Sequence, residues 1–305
     1  MNRLQHILMM IMMVVACLGC SGKKEPLTFQ LEGTPVRLVP PPGYKPAPAL
    51  GGLQHVSKRS AIVALELPTP FEDAASEIVV DTLARQGIRL LEREDIKLQH
   101  DTGVLYKIQR LVNGSNVEQW MLLLPYGQST ISVAGTYMKT DEKELAAAIK
   151  NALLSVQLDG QVKHAALPFS VHVKGMRAAK VLPGPSVVFT TKGDWNNASL
   201  QSLSFFAGSS DRMPGWGAEE TARSQFREMC PTCTLTETSI SHVSIDSLRG
   251  VELWGYTPAR KLKYEMVLLD TSKFFVMIGT ADSLQSEMLA QYREASRTFS
   301  RRRKS

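Results

Sequence analysis

Two cysteines three residues apart, Cys230-Pro231-Thr232-Cys233, form the one local pattern in this 305-residue chain whose residue types and spacing carry chemistry. A Cys-x-x-Cys pair serves as a redox dithiol, as half of a zinc site, or as a short structural disulfide. The redox use wants the first cysteine at a helix N-terminus, where the helix dipole lowers its pKa. Here the pair follows a helical stretch, residues 218–229, and precedes a strand-like one, residues 234–239. A zinc site needs two further ligands, yet the other cysteines, Cys17 and Cys20, lie at the N-terminal extreme, and the nearest histidine, His242, stands alone. The expected reading is a local Cys230–Cys233 disulfide that fixes a helix-to-strand turn, with a redox role as the alternative. So short a loop contributes less than the ~3 kcal/mol of a 15-residue loop, so the bond would shape the turn more than hold the domain.

The remaining candidates are weaker. His6, His55, His100, His164, His172 and His242 are scattered and never at metal-ligand spacing. The chain has no phosphate-binding Gly-x-x-x-x-Gly-Lys, no Gly-x-Gly-x-x-Gly opening a helix, no Gly-x-Ser-x-Gly elbow and no His-Glu-x-x-His. No catalytic residue, metal site or cofactor is therefore expected. Trp216, in Met213-Pro214-Gly215-Trp216-Gly217, is the candidate contact residue, because an aromatic in a Gly/Pro loop need not be core and aromatics anchor interfaces. A loop tryptophan folded back onto its own domain is the alternative. Trp120 and Trp254 lie on strand-like runs and read as core. Asn113-Gly114-Ser115 and Asn197-Ala198-Ser199 read as plain turns.

The N-terminus pairs a positive start, Arg3, with an apolar run over residues 7–16 that is too short to cross a ~30 Å hydrocarbon core as a helix. An export signal is expected there. The run ends Ala16-Cys17-Leu18-Gly19-Cys20-Ser21-Gly22, which resembles a bacterial lipobox, where small residues precede a cysteine that is diacylated and becomes the mature N-terminus. Cys20 is taken as the lipidated residue, giving a signal over residues 1–19 and a tether over 20–26; Cys17, after Val14-Val15-Ala16, is the alternative. Acyl chains contribute ~0.8 kcal/mol per buried CH₂, so two or three on one residue give stable membrane attachment. Neither cysteine is followed by Asp, which resembles outer-membrane sorting in enterobacteria. The expected location is the cell envelope, lipid-anchored, on the periplasmic face of the outer membrane if the host is Gram-negative.

With 44% hydrophobic and 21% charged residues the chain has ordinary globular composition. Its formal net charge of +6 is a mild excess, and part of it sits at the C-terminus, in Arg297, Arg301, Arg302, Arg303 and Lys304. Residues 301–305 are expected to be a solvated basic tail. Nucleic acid is not an expected partner, since the basic residues are not interleaved with aromatics in a stacking platform.

The elements that must position these residues occur twice, about 140 residues apart. Leu27-Thr28-Phe29 opens one stretch and Leu167-Pro168-Phe169 another; Pro40-Pro41-Pro42-Gly43 in the first answers Leu182-Pro183-Gly184-Pro185 in the second. Each continues with a strand (residues 61–67 or 200–206), then an amphipathic helix. In the first copy Ala74, Ala75, Ile78, Val79 and Leu83 form its apolar face; residues 218–229 are its counterpart. Strands over 88–91 and 104–111 match 234–239 and 250–256. The hairpin of Trp120-Met121-Leu122-Leu123-Leu124 with Ile131-Ser132-Val133-Ala134-Gly135-Thr136 parallels that of 264–269 with 275–280. Closing helices over 141–156 and 283–299 start at the capping types Asp141 and Ser283. The predicted organisation is a first domain over 27–159, a linker over 160–166 and a second domain over 167–300. The fold class is α+β: two tandem α/β/α sandwich domains, each a mainly antiparallel sheet flanked by helices.

This order resembles the PsbP/Mog-like α/β/α sandwich, shared by a photosystem subunit, a Ran-binding protein and bacterial lipoproteins of the DcrB group. The matching features are Pro42-Gly43-Tyr44, the helix before Arg85-Gln86-Gly87, the Trp-bearing hairpin and the terminal helix. The second copy departs by carrying Pro185-Ser186-Val187 at the Gly43-Tyr44 position and a longer loop over 211–217. The resemblance implies binding or assembly work rather than catalysis. The expected function is a membrane-anchored, non-catalytic binding or scaffold lipoprotein with an envelope protein as partner. The alternative is a carrier of a small apolar or lipid ligand in a cleft between the repeats. Nothing in the sequence sets an oligomeric state.

Overall fold

The computed structural model describes residues 27–85, 87–98, 101–112, 114–158, 162–164, 166–196, 199–200, 203–212, 215–230, 233, 239–282 and 286–302. The first repeat begins with β1 (Phe29–Gln30), β2 (Val36–Leu38), β3 (Tyr44–Ala47), β4 (Gly52–His55) and β5 (Ala61–Leu67). Helices α1 (Phe71–Glu77) and α2 (Val80–Arg85) come next, then β6 (Ile88–Lys97), β7 (Thr102–Val112), β8 (Ser115–Tyr126) and β9 (Ser129–Met138). Helix α3 (Glu142–Leu154) and β10 (Gln157–Leu158) close it. The second repeat runs β11 (Phe169–Ser170), β12 (Arg177–Leu182), β13 (Ser186–Thr190), β14 (Leu203–Asp211), α4 (Ala218–Met229), β15 (Ile240–Ile245) and β16 (Leu248–Tyr256). It ends with β17 (Leu262–Leu269), β18 (Lys273–Ala281), α5 (Ser286–Arg297) and β19 (Ser300–Arg301).

Each repeat builds a seven-stranded antiparallel sheet in the same spatial order, β3-β4-β5-β9-β8-β7-β6 in the first and β12-β13-β14-β18-β17-β16-β15 in the second. Each also ties its ends together, β10 onto β2 and β19 onto β11. The fold class is therefore α+β, two sheets each carrying helices on both faces. In the first repeat α3 packs on one face against Leu122, Leu124 and Val133, and α1 and α2 cover Tyr106, Ile108 and Leu123 on the other. In the second, Tyr292 and Ala295 of α5 face Tyr264, Met266 and Met277, and Ala222 and Phe226 of α4 face Val251, Leu253 and Val267.

The duplication extends to single residues. Trp120 pairs with Gly135 across β8 and β9, and Tyr264 with Gly279 across β17 and β18. A Cβ on Gly135 would run into Ile149 of α3, and one on Gly279 into Tyr292 of α5. At both places the missing side chain lets the closing helix approach the sheet. Gly103 and Gly250 match likewise, each pressed against a carbonyl and a leucine of the neighbouring strand, Leu123 and Leu124 or Val267 and Leu268.

Three expectations need correcting. The first amphipathic helix is two short helices, with Ala74 and Leu83 buried but Val79 46% exposed. Three consecutive β-branched residues, Ile78-Val79-Val80, disfavour continuing the helix there. The strand expected over 234–239 lies, except for Ser239, outside the described residues, and β15 follows it from Ile240. Asp141 occupies the N-cap of α3 but makes no capping hydrogen bond; its carboxylate accepts instead from Lys58 Nζ at 2.9 Å. Finally, Arg301 is no solvated tail residue: its Nε and Nη1 reach Asp246 and Asp270 at 3.0 and 3.1 Å, while the Arg302 N–H donates to the Pro168 carbonyl. Two carboxylates at the β15–β16 and β17–β18 turns give the last strand a charged anchor that composition alone does not reveal.

Candidate functional site: a groove between the repeats

Cys17 and Cys20 lie outside the described residues, as does Ser283. Cys230 and Cys233 are joined as a disulfide immediately after α4. Cys230 is buried against the core beneath that helix, and the Cys233 N–H donates to the Cys230 carbonyl at 3.1 Å, so the bond closes the last turn. Trp216 stands just before α4, half-buried, with its carbonyl accepting from the Arg212 guanidinium at 3.2 and 3.3 Å. Helix α4 thus separates Trp216 and the disulfide by its own length, ~18 Å for twelve residues. Of the other tryptophans, Trp120 is buried under Lys150 and Lys107, 4.7 and 5.6 Å from its ring, and Trp254 is half-buried under Arg293 at 4.4 Å.

What the structure brings together lies beside α4. That helix packs over β16 and β17, and among the described residues no helix covers the same face of β18, β14 and β13 where the groove lies. A groove of about 510 Å³ occupies the uncovered face. Phe206, Phe274, Val276 and Ile278 form its floor, Gln225 and Met229 of α4 one wall, and the Pro183-Gly184-Pro185 turn with Ala49 of the first repeat the other. The volume suits a small molecule or a few side chains of a partner. Gln225 Oε1 is buried there without a hydrogen-bond partner.

The rim of the groove is also the joint between the repeats. The Pro183-Gly184 turn sits so close to the first repeat that a Cβ on Gly33 would meet the Pro183 backbone, and one on Gly51 the Gly184 nitrogen. Both glycines have positive φ, 74° and 62°, a conformation that side chains with a Cβ rarely adopt. Lys180 of β12 and Glu66 of β5 add an ion pair at 2.5 Å, and the Gly33 N–H donates to the Lys163 carbonyl in the linker at 2.7 Å.

Glu265, on β17, shares the sheet face of Leu253, Val267 and Ile278 under α4. It is fully buried and neither carboxyl oxygen has a partner; burial pushes its pKa up to about 8, so it is largely protonated at neutral pH. Glu118 and Glu252 are equally buried but paired: Glu118 with Lys139, Tyr137 and Lys107 at 2.5, 2.9 and 3.4 Å, Glu252 with Arg293 at 2.6 Å. Burial, and then the Glu118 and Glu252 carboxylates, raise the pKa of Tyr137 and Tyr264 respectively. Among the described residues no three His, Cys, Asp or Glu side chains gather as a metal site, and no helix is long and apolar enough to cross a membrane. Gln225, Phe206, Phe274 and Glu265 escaped the sequence reading. An acid inside the apolar run Tyr264-Glu265-Met266-Val267-Leu268-Leu269 was the one signal available.

No family model matches the chain, and none of the curated proteins matches it either. Among solved structures, cyanobacterial PsbP from Synechocystis aligns over 46% of this chain and 97% of its own, at 11% identity and TM-score 0.32. A protein of unknown function from Pseudomonas aeruginosa, PA94, aligns over 45% of this chain and 88% of its own, at 16% identity and TM-score 0.30. The type VI secretion immunity protein TplEi, also from Pseudomonas aeruginosa, aligns over 92% of this chain and 98% of its own, at 12% identity and TM-score 0.29.

Proposed function

We propose that this chain is a non-catalytic binding or scaffold protein of the bacterial cell envelope, held at a membrane by lipid on Cys20, with its paired repeats presenting one surface to a protein partner. The observation that supports this reading best is the joint. A scaffold needs a fixed placement of its halves, and the Pro183-Gly184 turn against Gly33 and Gly51, with the Lys180–Glu66 pair, supplies one. Trp216, at the mouth of α4, is the contact residue on that surface. The test is photo-crosslinking in cells from position 216 and from Ser210 at the groove. One specific partner is expected from both positions, and products limited to the most abundant envelope proteins would overturn the reading. The anchor is tested separately. Cys20→Ala is expected to release the chain from membranes, whereas release by Cys17→Ala alone would move the lipid to Cys17.

One observation favours a second reading, a carrier of a small apolar ligand: the groove has the size of a ligand pocket, an aromatic floor and an unpartnered amide oxygen. Native mass spectrometry of the chain purified without its anchor decides it. A retained mass supports carriage, and the bare chain mass argues for the scaffold.

A further inference from the structure

Two seven-stranded sheets leave four edge strands, and three of them carry devices that block a further strand. β6 has six charged residues in ten, Arg89, Glu92, Arg93, Glu94, Asp95 and Lys97, and a bulge between Leu90 and Glu92. β12 has Arg177, Lys180 and a bulge between Ala178 and Lys180. β3 is four residues long and contains Lys45 and Pro46. The fourth edge, β15, reads Ile-Ser-His-Val-Ser-Ile: it has no Lys, Arg, Asp, Glu or Pro, and it pairs with β16 through all six residues without a bulge. β15 occupies the place in the second sheet that the heavily charged β6 occupies in the first. Among the described residues, the duplicated sheet thus guards this edge in one copy and leaves it unguarded in the other.

We infer that β15 is a docking edge for an extended segment of a partner protein, added as an eighth strand. This rests on the protein-binding reading above. The Asp246-Ser247 turn has positive φ at both residues, 48° and 62°, the signature of a two-residue hairpin in which Ile245 and Leu248 form the closing hydrogen-bonded pair. Alternation along an antiparallel pair then turns the backbone groups of Ser241 and Val243 toward β16 and those of His242 and Ser244 outward. His242 and Ser244 are also the exposed side chains of the strand, while Val243 and Ile245 are half-buried on the α5 face. A segment of about six residues with apolar side chains at alternate positions on the α5 face, and no charge among them, matches this edge. A second copy of the chain matches it less well. Two six-residue edges paired about a two-fold axis cover ~20 Å of strand and bury well under the ~1,200 Å² of a stable interface. A flexible segment is free to continue beyond the strand.

The experiment selects random twelve-residue peptides on the full chain by phage display, then measures the enriched peptides against variants. Uncharged sequences with alternating apolar residues are expected. They should bind Ser244→Lys and His242→Pro at least ~10-fold more weakly, and Arg93→Ala at the opposite sheet's edge unchanged. His242→Pro removes an outward N–H without removing a β15–β16 bond, and unchanged thermal midpoints identify folded variants. Hydrogen exchange with the tightest peptide should protect the amides of His242 and Ser244 in the otherwise unchanged chain. No enrichment, equal binding to Ser244→Lys, or a dimer that Ser244→Lys returns to monomer each overturns the proposal. If partner crosslinking from Trp216 survives Ser244→Lys undiminished, the edge proposal falls while the protein-binding reading stands.

Discussion

Three buried glutamates show how one residue type takes different roles according to what surrounds it. Glu118 and Glu252 are ionic hubs, but Glu265 has only apolar cross-strand neighbours, Leu253 and Ile278, and a buried acid without partners costs about 1–3 kcal/mol. Its folded-state pKa, about 8, lies above its ordinary 4.5. Between those values the folded chain holds a proton that the unfolded chain has lost, so the second repeat should lose stability as pH rises from about 4.5 to 8. Glu265→Gln is expected to flatten this slope, and Glu265→Met to stabilise the repeat by ~1–3 kcal/mol at pH 7.5, both read from urea unfolding across the range. A slope unchanged in Glu265→Gln would place its source elsewhere. The sequence hid this residue because β17 is buried on both faces, so its apolar run lacks the alternation that would have marked an acid as facing inward.

At the scale of elements, the hairpin and closing-helix correspondence was legible because Gly135-Thr136 and Gly279-Thr280 recur in matching strand runs. The reason for the glycines was not legible: Ile149 and Tyr292 lie in helices joined to the sheet only by tertiary packing. Gly135→Val and Gly279→Val should each destabilise their own repeat by ~1–3 kcal/mol through overpacking and leave the other repeat's transition in place, as followed by calorimetry. The start of α3 was similarly half-legible. Its Glu142 accepts from Lys107 and Lys139 at 2.7 and 2.6 Å, and these bonds, Lys107 first, lower its pKa from 4.5 to about 2. A carboxylate depressed in the folded state stabilises above its unfolded pKa, and that contribution fades as pH falls from about 4.5 toward 2. Glu142→Gln should therefore lower first-repeat stability at neutral pH and shrink its loss on acidification, with circular dichroism at pH 2 to 7 as the measurement. The break between α1 and α2 was missed for a local reason: the apolar spacing of Ala74, Ala75, Ile78, Val79 and Leu83 fits a helix, and it took Ile78-Val79-Val80 to interrupt it.

The whole molecule depends on how its repeats meet, and this was least visible in the sequence, since Pro183 lies about a domain's length from Gly33 and Gly51 and each reads alone as a loop residue. In the fold they form one contact in which glycines of the first repeat accept a turn of the second. Gly51 is the sensitive member: a Cβ there meets backbone at Pro183 and Gly184, which cannot move aside as a flexible side chain does, and its φ of 62° adds strain to any replacement. Gly51→Ala should therefore leave both sheets folded while driving the turn out of its seat, widening the groove and loosening the linker. Small-angle scattering should give a larger radius of gyration than wild type, and limited proteolysis should cut faster between residues 158 and 169. Lys180→Glu should act in the same direction but more weakly, because a partly exposed ion pair contributes only ~0–1 kcal/mol; Glu66→Lys in the same chain should restore it. If Gly51→Ala matches wild type in both measurements, the turn does not hold the repeats together, and the fixed surface on which the scaffold reading depends goes with it.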